Sequence, residues 1–524
     1  MKIKSKLLRR IFRILFIIIG IFIILGIWAR CRVRDPFPGY EQDITIRGNQ
    51  PDSLSVGFAA IPVTPELEDT WTDVNGDNQF TPAEGDTWED GNNNGKFDAY
   101  WIAGFQHKRA AQKIHDELWA RAMVVDDGNT RLALVVVDAI GLFHEDVIRI
   151  RKKIAEETSV DYTAVLATHT HSGPDLLGLW GKSRLKSGVN EAYKSEVLEK
   201  TAQAVIQASE NLRPAQIKYA FNKNDASSMV EDTRPPEVQD NALKIMQAID
   251  ARKDSVLGTM VVWGNHPETS WSKHLQLSSD FPHYLRQYLE EGIHQGDSLV
   301  MTGYGGTAMF LPGAIGGLMS TTPDITIKDP VTGRSYKKPS FEKADAQGKS
   351  LAMMVEKSLK TSADTLEKAS INLRAKTFKL PMENRLFKLA AILGIIKQGF
   401  NGWGMHRTEM AAFTIGKASF LTLPGEIYPE IVYGGIEAPE GQDFFVDPVE
   451  VPPLHSAMPG DYHFFMGLTN DEMGYIIPKS EWDKKEPYLY GEEDGHYGES
   501  NSLGPETGVI IHKMAMEILS ELKQ

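Results

Sequence analysis

Cysteine is nearly absent: Cys31 is the only one in 524 residues. No intrachain disulfide can form, so stability has to come from packing and, where a site exists, from bound metal ions. Positive charge is also in short supply, with 56 Lys and Arg against 70 Asp and Glu and a formal charge of −14. No basic stripe occurs beyond the first residues, which argues against a nucleic-acid partner. Membrane-length apolar runs are missing except at the N-terminus, and what remains is long enough for one elaborate α/β domain.

At that N-terminus, residues 14–29 are apolar without interruption, about the length of one short spanning helix. Lys2, Lys4, Lys6, Arg9, Arg10 and Arg13 precede the run, which predicts a cytoplasmic N-terminus and an extracytoplasmic remainder, periplasmic or extracellular. A cleaved signal peptide is the rival reading. Against it, no small-x-small site follows, and Trp28 and Arg30 stand where a lipoprotein signal ahead of Cys31 needs small residues. The expected plan is a basic tail and signal anchor over 1–34, a linker over 35–54, and a folded domain over 55–524.

Residues 71–98 contain a duplicated pattern, 71–80 and 88–97, rich in Asn, Asp and Gly. Oxygen-bearing side chains at loop positions 1, 3 and 5 with a later acid suit a hard cation. Asp73, Asn75, Asp77, the Gln79 carbonyl and Glu84 fill such positions in the first copy. Asp90, Asn92, Asn94, the Lys96 carbonyl and Asp98 fill them in the second. A structural calcium site is the expectation, with a solvated Asn/Gly loop as its alternative.

Three apolar stretches end in groups that can bind metal. The first runs from Val165 into Thr168-His169-Thr170-His171-Ser172-Gly173-Pro174; the second, 255–263, ends at Asn265-His266-Pro267; the third, 418–423, ends at Pro424-Gly425-Glu426. On a strand, residues i and i+2 share a face, so His169 and His171 are expected to look into one cleft. Strand C-terminal ends are where open α/β sheets carry chemistry. Residues 132–137 and the helical spacing of 145–157 predict a βαβ unit, 191–211 a second helix, and 110–121 a partly helical segment. The fold class expected is α/β, a mixed-sheet domain with metal ligands at strand C-terminal ends.

These blocks, with Ser279-Asp280-Phe281-Pro282 and Asn470-Asp471 leading to Gly474-Tyr475, resemble in that order the neutral/alkaline non-lysosomal ceramidase family. His115-Asp116, Ala120-Arg121-Ala122 and the strand ending in Asp138 look like that family's opening segment. The resemblance runs from about residue 56 to the C-terminus and implies a catalytic zinc held by His169, His266, Glu426 and Tyr475. It implies His171 and Tyr497 as catalytic or substrate contacts, a substrate-binding arginine matched only loosely by Arg234, and a lipid amide as substrate. The implied reaction cleaves ceramide to a sphingoid base and a fatty acid. Rival readings are a zinc hydrolase of another lipid or a soluble amide or ester, and a non-catalytic calcium-binding surface protein. Asp280 reads as a helix N-cap or as an acceptor behind a ligating imidazole. Residues 302–307 depart from the family's turn, and the C-terminal β-sandwich of larger members has no counterpart in the sequence. Residues 386–400 are more apolar than a surface helix needs; they can pack on the body or lie in a membrane interface. The oligomeric state has no signature in the sequence.

Overall fold

The computed structural model describes residues 6–523 except 49, 224, 403 and 496, without the side chains of residues 6–8. Lys2 and Lys4, on which the topology reading partly rests, lie outside the described residues. Helix α1 (Lys6–Arg32) contains a stretch, Arg9–Arg32, long and apolar enough to cross a membrane, and none of that stretch is buried against the protein.

Two packed sheets form the body. The larger has ten strands, eight of them in the order 307–312, 256–263, 243–250, 213–222, 52–62, 119–126, 131–137, 162–167. Only its outermost pairs are parallel. Each parallel pair spans one long helix, α2 (His144–Glu157) on one edge and α4 (Phe281–Glu291) on the other. The first is the expected βαβ unit. Its strand 131–137 is buried along nearly its whole length, which is why Leu132 to Val137 shows no polar alternation.

The smaller sheet, 43–46, 371–381, 405–415, 418–422 and 462–466, packs face to face on the larger. Val56, Met123, Leu134 and Met260 meet Leu373, Phe413, Phe420 and Phe464 between them. Helices α2 and α3 (Glu191–Glu210) cover one outer flank of the large sheet, and α4 and α5 (Phe341–Thr361) cover another. The helix Glu506–Lys523 covers the small sheet. Apolar faces are thus sealed on both sides of each sheet, the layered solution for mixed α/β chains.

Two expectations fail locally. Residues 110–121 hold no helix: Lys113–Ile114 pairs in parallel with Gln276–Leu277, and Trp119 opens a strand, so the backbone hydrogen bonds go to distant partners. The segment read as a linker, 35–54, is tied into the body. Asp35 is buried against Arg407, Asp43–Ile46 is an edge strand, and 52–54 begins a central one.

Candidate metal centre and active-site pocket

Strand 162–167 stops at Ala167, so the two histidines beyond it are not strand neighbours as expected. His169 turns the chain with φ of 68°, a conformation that costs a non-glycine residue energy. Its amide donates to the Ala139 carbonyl at 2.9 Å, and its Nδ1 lies 2.6 Å from the Ile140 carbonyl. The loop after the neighbouring strand therefore fixes the ring. His266 is held in the same manner, its Nδ1 2.7 Å from the Met319 carbonyl. A carbonyl only accepts, so both Nδ1 atoms carry the proton and both Nε2 atoms are left for the pocket.

The Nε2 atoms meet one carboxylate oxygen. Glu426 Oε2 is 3.0 Å from His266 Nε2 and 3.6 Å from His169 Nε2. With neutral rings, three lone-pair atoms face one another, an arrangement that a bound cation or a proton on one imidazole stabilises. Tetrahedral zinc with bonds of about 2.0–2.1 Å would hold its ligand atoms roughly 3.3 Å apart, so the donor set fits such an ion. Without one, burial pulls His169 down but the Glu426 charge overrides it and raises the imidazole above its ordinary value.

Tyr475 joins this group through backbone pairing, since Glu426 and Tyr475 are register partners in a short parallel bridge. Burial and the neighbouring Glu426 hold its phenol well above the ordinary range. His171 sits in the same cluster, with the ligand atoms of His169, His171 and His266 within 4.8 Å of one another. Its Nδ1 lies 2.8 Å from Glu268 Oε2, outside hydrogen-bonding alignment, and its Nε2 has no partner. Burial lowers its pKa to about 4 despite the pull of Glu268, so the ring is neutral near pH 7. Tyr497 closes the group at the rim, its ring 6.0 Å from that of Tyr475.

The pocket has a volume of about 440 Å³ and is walled mainly by Phe105, Phe143, Leu177, Trp180, Phe387 and Ile396. A polar cluster at one end of an apolar cavity suits a substrate with a chain attached to a hydrolysable group.

Strands 162–167 and 256–263 run antiparallel across the large sheet, so their C-terminal ends do not share one edge as an open parallel sheet would arrange them. They meet because the sheet coils until strand 307–312 touches 131–137 and 162–167. Glu426 then arrives from beyond the second sheet.

Two solved structures share this architecture. One is neutral ceramidase from Pseudomonas aeruginosa, 15% identical, covering 90% of this chain and 74% of that one with a TM-score of 0.61. The other is a ceramidase complexed with C2, 14% identical, covering 90% and 75% with a TM-score of 0.62. The chain has the neutral ceramidase fold. No family model and no curated protein matches the sequence.

On this ceramidase fold the weaker sequence readings resolve differently. Arg234 is buried away from the pocket, bonded to Glu499 at 2.7 Å, the Tyr428 hydroxyl at 2.8 Å and the Glu481 carbonyl at 2.8 Å. Those bonds occupy both terminal nitrogens and tie the segments around Tyr428, Glu481 and Glu499 together. Asp280 is the helix N-cap, the first of its two sequence readings: it accepts from the amide of Phe281 and from Thr269 and Ser270, stitching the loop after His266 to the start of α4. The 302–307 turn packs against the end of α4 and does not line the pocket.

Two pocket carboxyls escaped the sequence reading. Glu268 lies two residues past His266 and pairs with His171; Glu472 sits inside the Asn470 to Tyr475 block with one oxygen unpartnered. Burial and the nearby Glu426 hold the Glu472 carboxyl well above its usual range. Their position beside quoted motif residues was the available signal.

The duplicated segment folds as two loops joined by the hairpin of Thr70–Thr72 with Thr87–Glu89. Asp73 accepts from Gly76 and Asn78, Asn75 and Asp77 accept from the second residue ahead of each, and Glu84 accepts from Asn75. In the second copy Asp90 accepts from Asn94 and Gly95, Asn94 from Lys96, and Asp98 from Asn92. Asp69 and Asp86, which the pattern did not include, are buried and brace the second and first loops respectively. The Phe80 and Phe97 rings meet at 4.2 Å in a tilted pair and pack against Ala110 and Leu275.

Proposed function

We propose that this protein is a membrane-anchored zinc amidohydrolase that cleaves the N-acyl amide of ceramide or a related sphingolipid into a sphingoid base and a fatty acid. The observation that carries the reading is the convergence of His169, His266 and Glu426, with both Nδ1 atoms held by main-chain carbonyls. His169, His266, Glu426 and Tyr475 are the proposed ligands. A zinc ion there supplies a Lewis acid and a water acidified toward neutral pH. His171, neutral and facing Glu268, is suited to take the proton of the attacking water and return one to the departing amine nitrogen. Tyr497 at the rim contacts the amide, and the apolar walls hold the chain and exclude water. Water adds its hydroxyl to the acyl carbon, the C–N bond breaks, and the amine leaves with the proton.

In this reading α1 anchors the chain with the catalytic domain, residues 55–524, on the extracytoplasmic side, and the 71–98 loops take calcium as a structural ion. The test is metal content by mass spectrometry on the full chain beside His266→Ala, with hydrolysis of ceramide and of unrelated acyl amides assayed on the same samples. About one zinc per chain, lost with activity in the variant, is expected. Zinc with turnover of other amides alone would replace the substrate, and absence of zinc after loading would end the catalytic reading.

A further inference from the structure

Helix α6 (Arg385–Leu393) carries a stripe that the fold leaves bare. Leu386, Leu389 and Leu393 are 68%, 50% and 44% exposed at i, i+3 and i+7 spacing, while Ala391 on the opposite face is buried. Three leucines on one helical face gain by leaving water, so such a stripe calls for a partner. The fold says which one. The base of α1 is fixed to the α6 region: α1 packs on α6, Arg32 lies over Gly394, and the amide of Phe400 donates to the Val33 carbonyl at 2.8 Å. Any bilayer crossed by α1 therefore ends beside α6. Exposed Arg30, Arg32, Arg34 and Arg385 surround the same spot on a chain that is otherwise acidic, which suits anionic headgroups. The inward side of this segment, Phe387 and Ile396, is pocket wall.

We propose that α6 lies in the bilayer that α1 crosses, with its leucine stripe among the acyl chains, and that the pocket takes its lipid laterally past Phe387 and Ile396. The docking rests on α1 being inserted, and the lipid-entry part also rests on the proposed amidase function. Occupancy by an interfacial helix accounts for the stripe, the arginine collar and the shared pocket wall together.

The test uses the full chain in phosphatidylcholine vesicles containing phosphatidylglycerol and acyl chains that carry a quencher. An environment-sensitive fluorophore is placed on native Cys31, on Leu389→Cys in a Cys31→Ser background, and on Lys253→Cys in that background at the exposed hairpin turn after strand 243–250. Quenching at 31 and 389 is expected to exceed that at 253 by about threefold or more. Quenching at 31 with 389 no different from 253 would overturn the docking while leaving α1 inserted. No quenching at 31 would remove α1 from the bilayer and the proposal with it. In parallel, Leu386→Glu with Leu389→Glu and Leu393→Glu should cut hydrolysis of a long-chain N-acyl lipid in vesicles about tenfold and spare its short-chain, water-dispersed homologue. Equal loss on both, or on neither, would overturn lateral entry. If the unaltered chain cleaves neither amide, the proposed function fails, and the quenching pattern still decides the docking.

Discussion

The carbonyls that fix His169 depend on a buried ion pair some residues away, and breaking that pair makes a sharp test. Arg286 Nη1 and Nη2 bond Asp138 Oδ1 and Oδ2 at 2.9 Å each, with side chains only 2% and 0% exposed. Asp138 follows strand 131–137 and immediately precedes Ala139 and Ile140, the residues whose carbonyls hold the His169 amide and Nδ1. Arg286→Met removes both bonds and a third to the Ser279 hydroxyl at 2.7 Å, leaving the carboxylate, among the described residues, with the Trp119 amide as hydrogen-bond donor and Arg121 as a cation that feels its charge. Breaking a buried ion pair by removing one partner costs about 3–5 kcal/mol. Adding Asp138→Asn removes the charge and should recover most of that loss, a coupling of about 2–3 kcal/mol in the cycle. Urea midpoints of the full chain in detergent, analysed with a common slope, measure the stability arm. Zinc affinity measures the site arm: the single variant should bind about tenfold or more weakly, as groups behind metal ligands do when disturbed. A single-variant cost below about 1 kcal/mol, or a double variant no better than the single, would refute the argument.

Two further outcomes are expected. Gly104 has φ of 101° and a Cβ there would overlap the His171 ring, so Gly104→Ala should lower hydrolysis about 100-fold while zinc content holds; activity within twofold of the parent would show that the ring has slack. Burial raises the Glu145 carboxyl to about 7, with one oxygen accepting from Gly399 and the other unpartnered. Between its ordinary value of 4.5 and 7 the folded chain keeps a proton that the unfolded chain has lost, so this group's contribution to stability falls as pH rises through that window. Glu145→Gln lacks the proton, and its stability relative to the parent should rise between pH 5 and pH 8 by up to about 3 kcal/mol; an equal difference at both pH values would exclude the effect.

The features legible in the chain alone are local. An uninterrupted apolar run makes α1, β-rich runs make strands 131–137, 162–167 and 256–263, and Asn and Asp spacing makes the paired loops of 71–98. These follow from periodicity and turn chemistry, which act over a few residues. The proposed ligands His169, His266 and Glu426 stand out in the sequence for the same reason, because each follows such a run.

Their assembly was decided elsewhere. His169 shares the pocket with His171 through a left-handed turn locked by the loop of a neighbouring strand, not through strand alternation. His266 reaches them because the large sheet coils, and Glu426 and Tyr475 because a two-residue bridge joins segments nearly fifty residues apart. Asp280 took the helix-cap reading of the two the sequence offered, and Arg234 found its hydrogen-bond partners inside the body. Glu268 gained a role only when His171 was folded against it. A hydrogen-bond partner distant in sequence leaves no periodic trace in the chain. Which polar group faces a pocket and which is spent inside the body is therefore settled by tertiary packing alone.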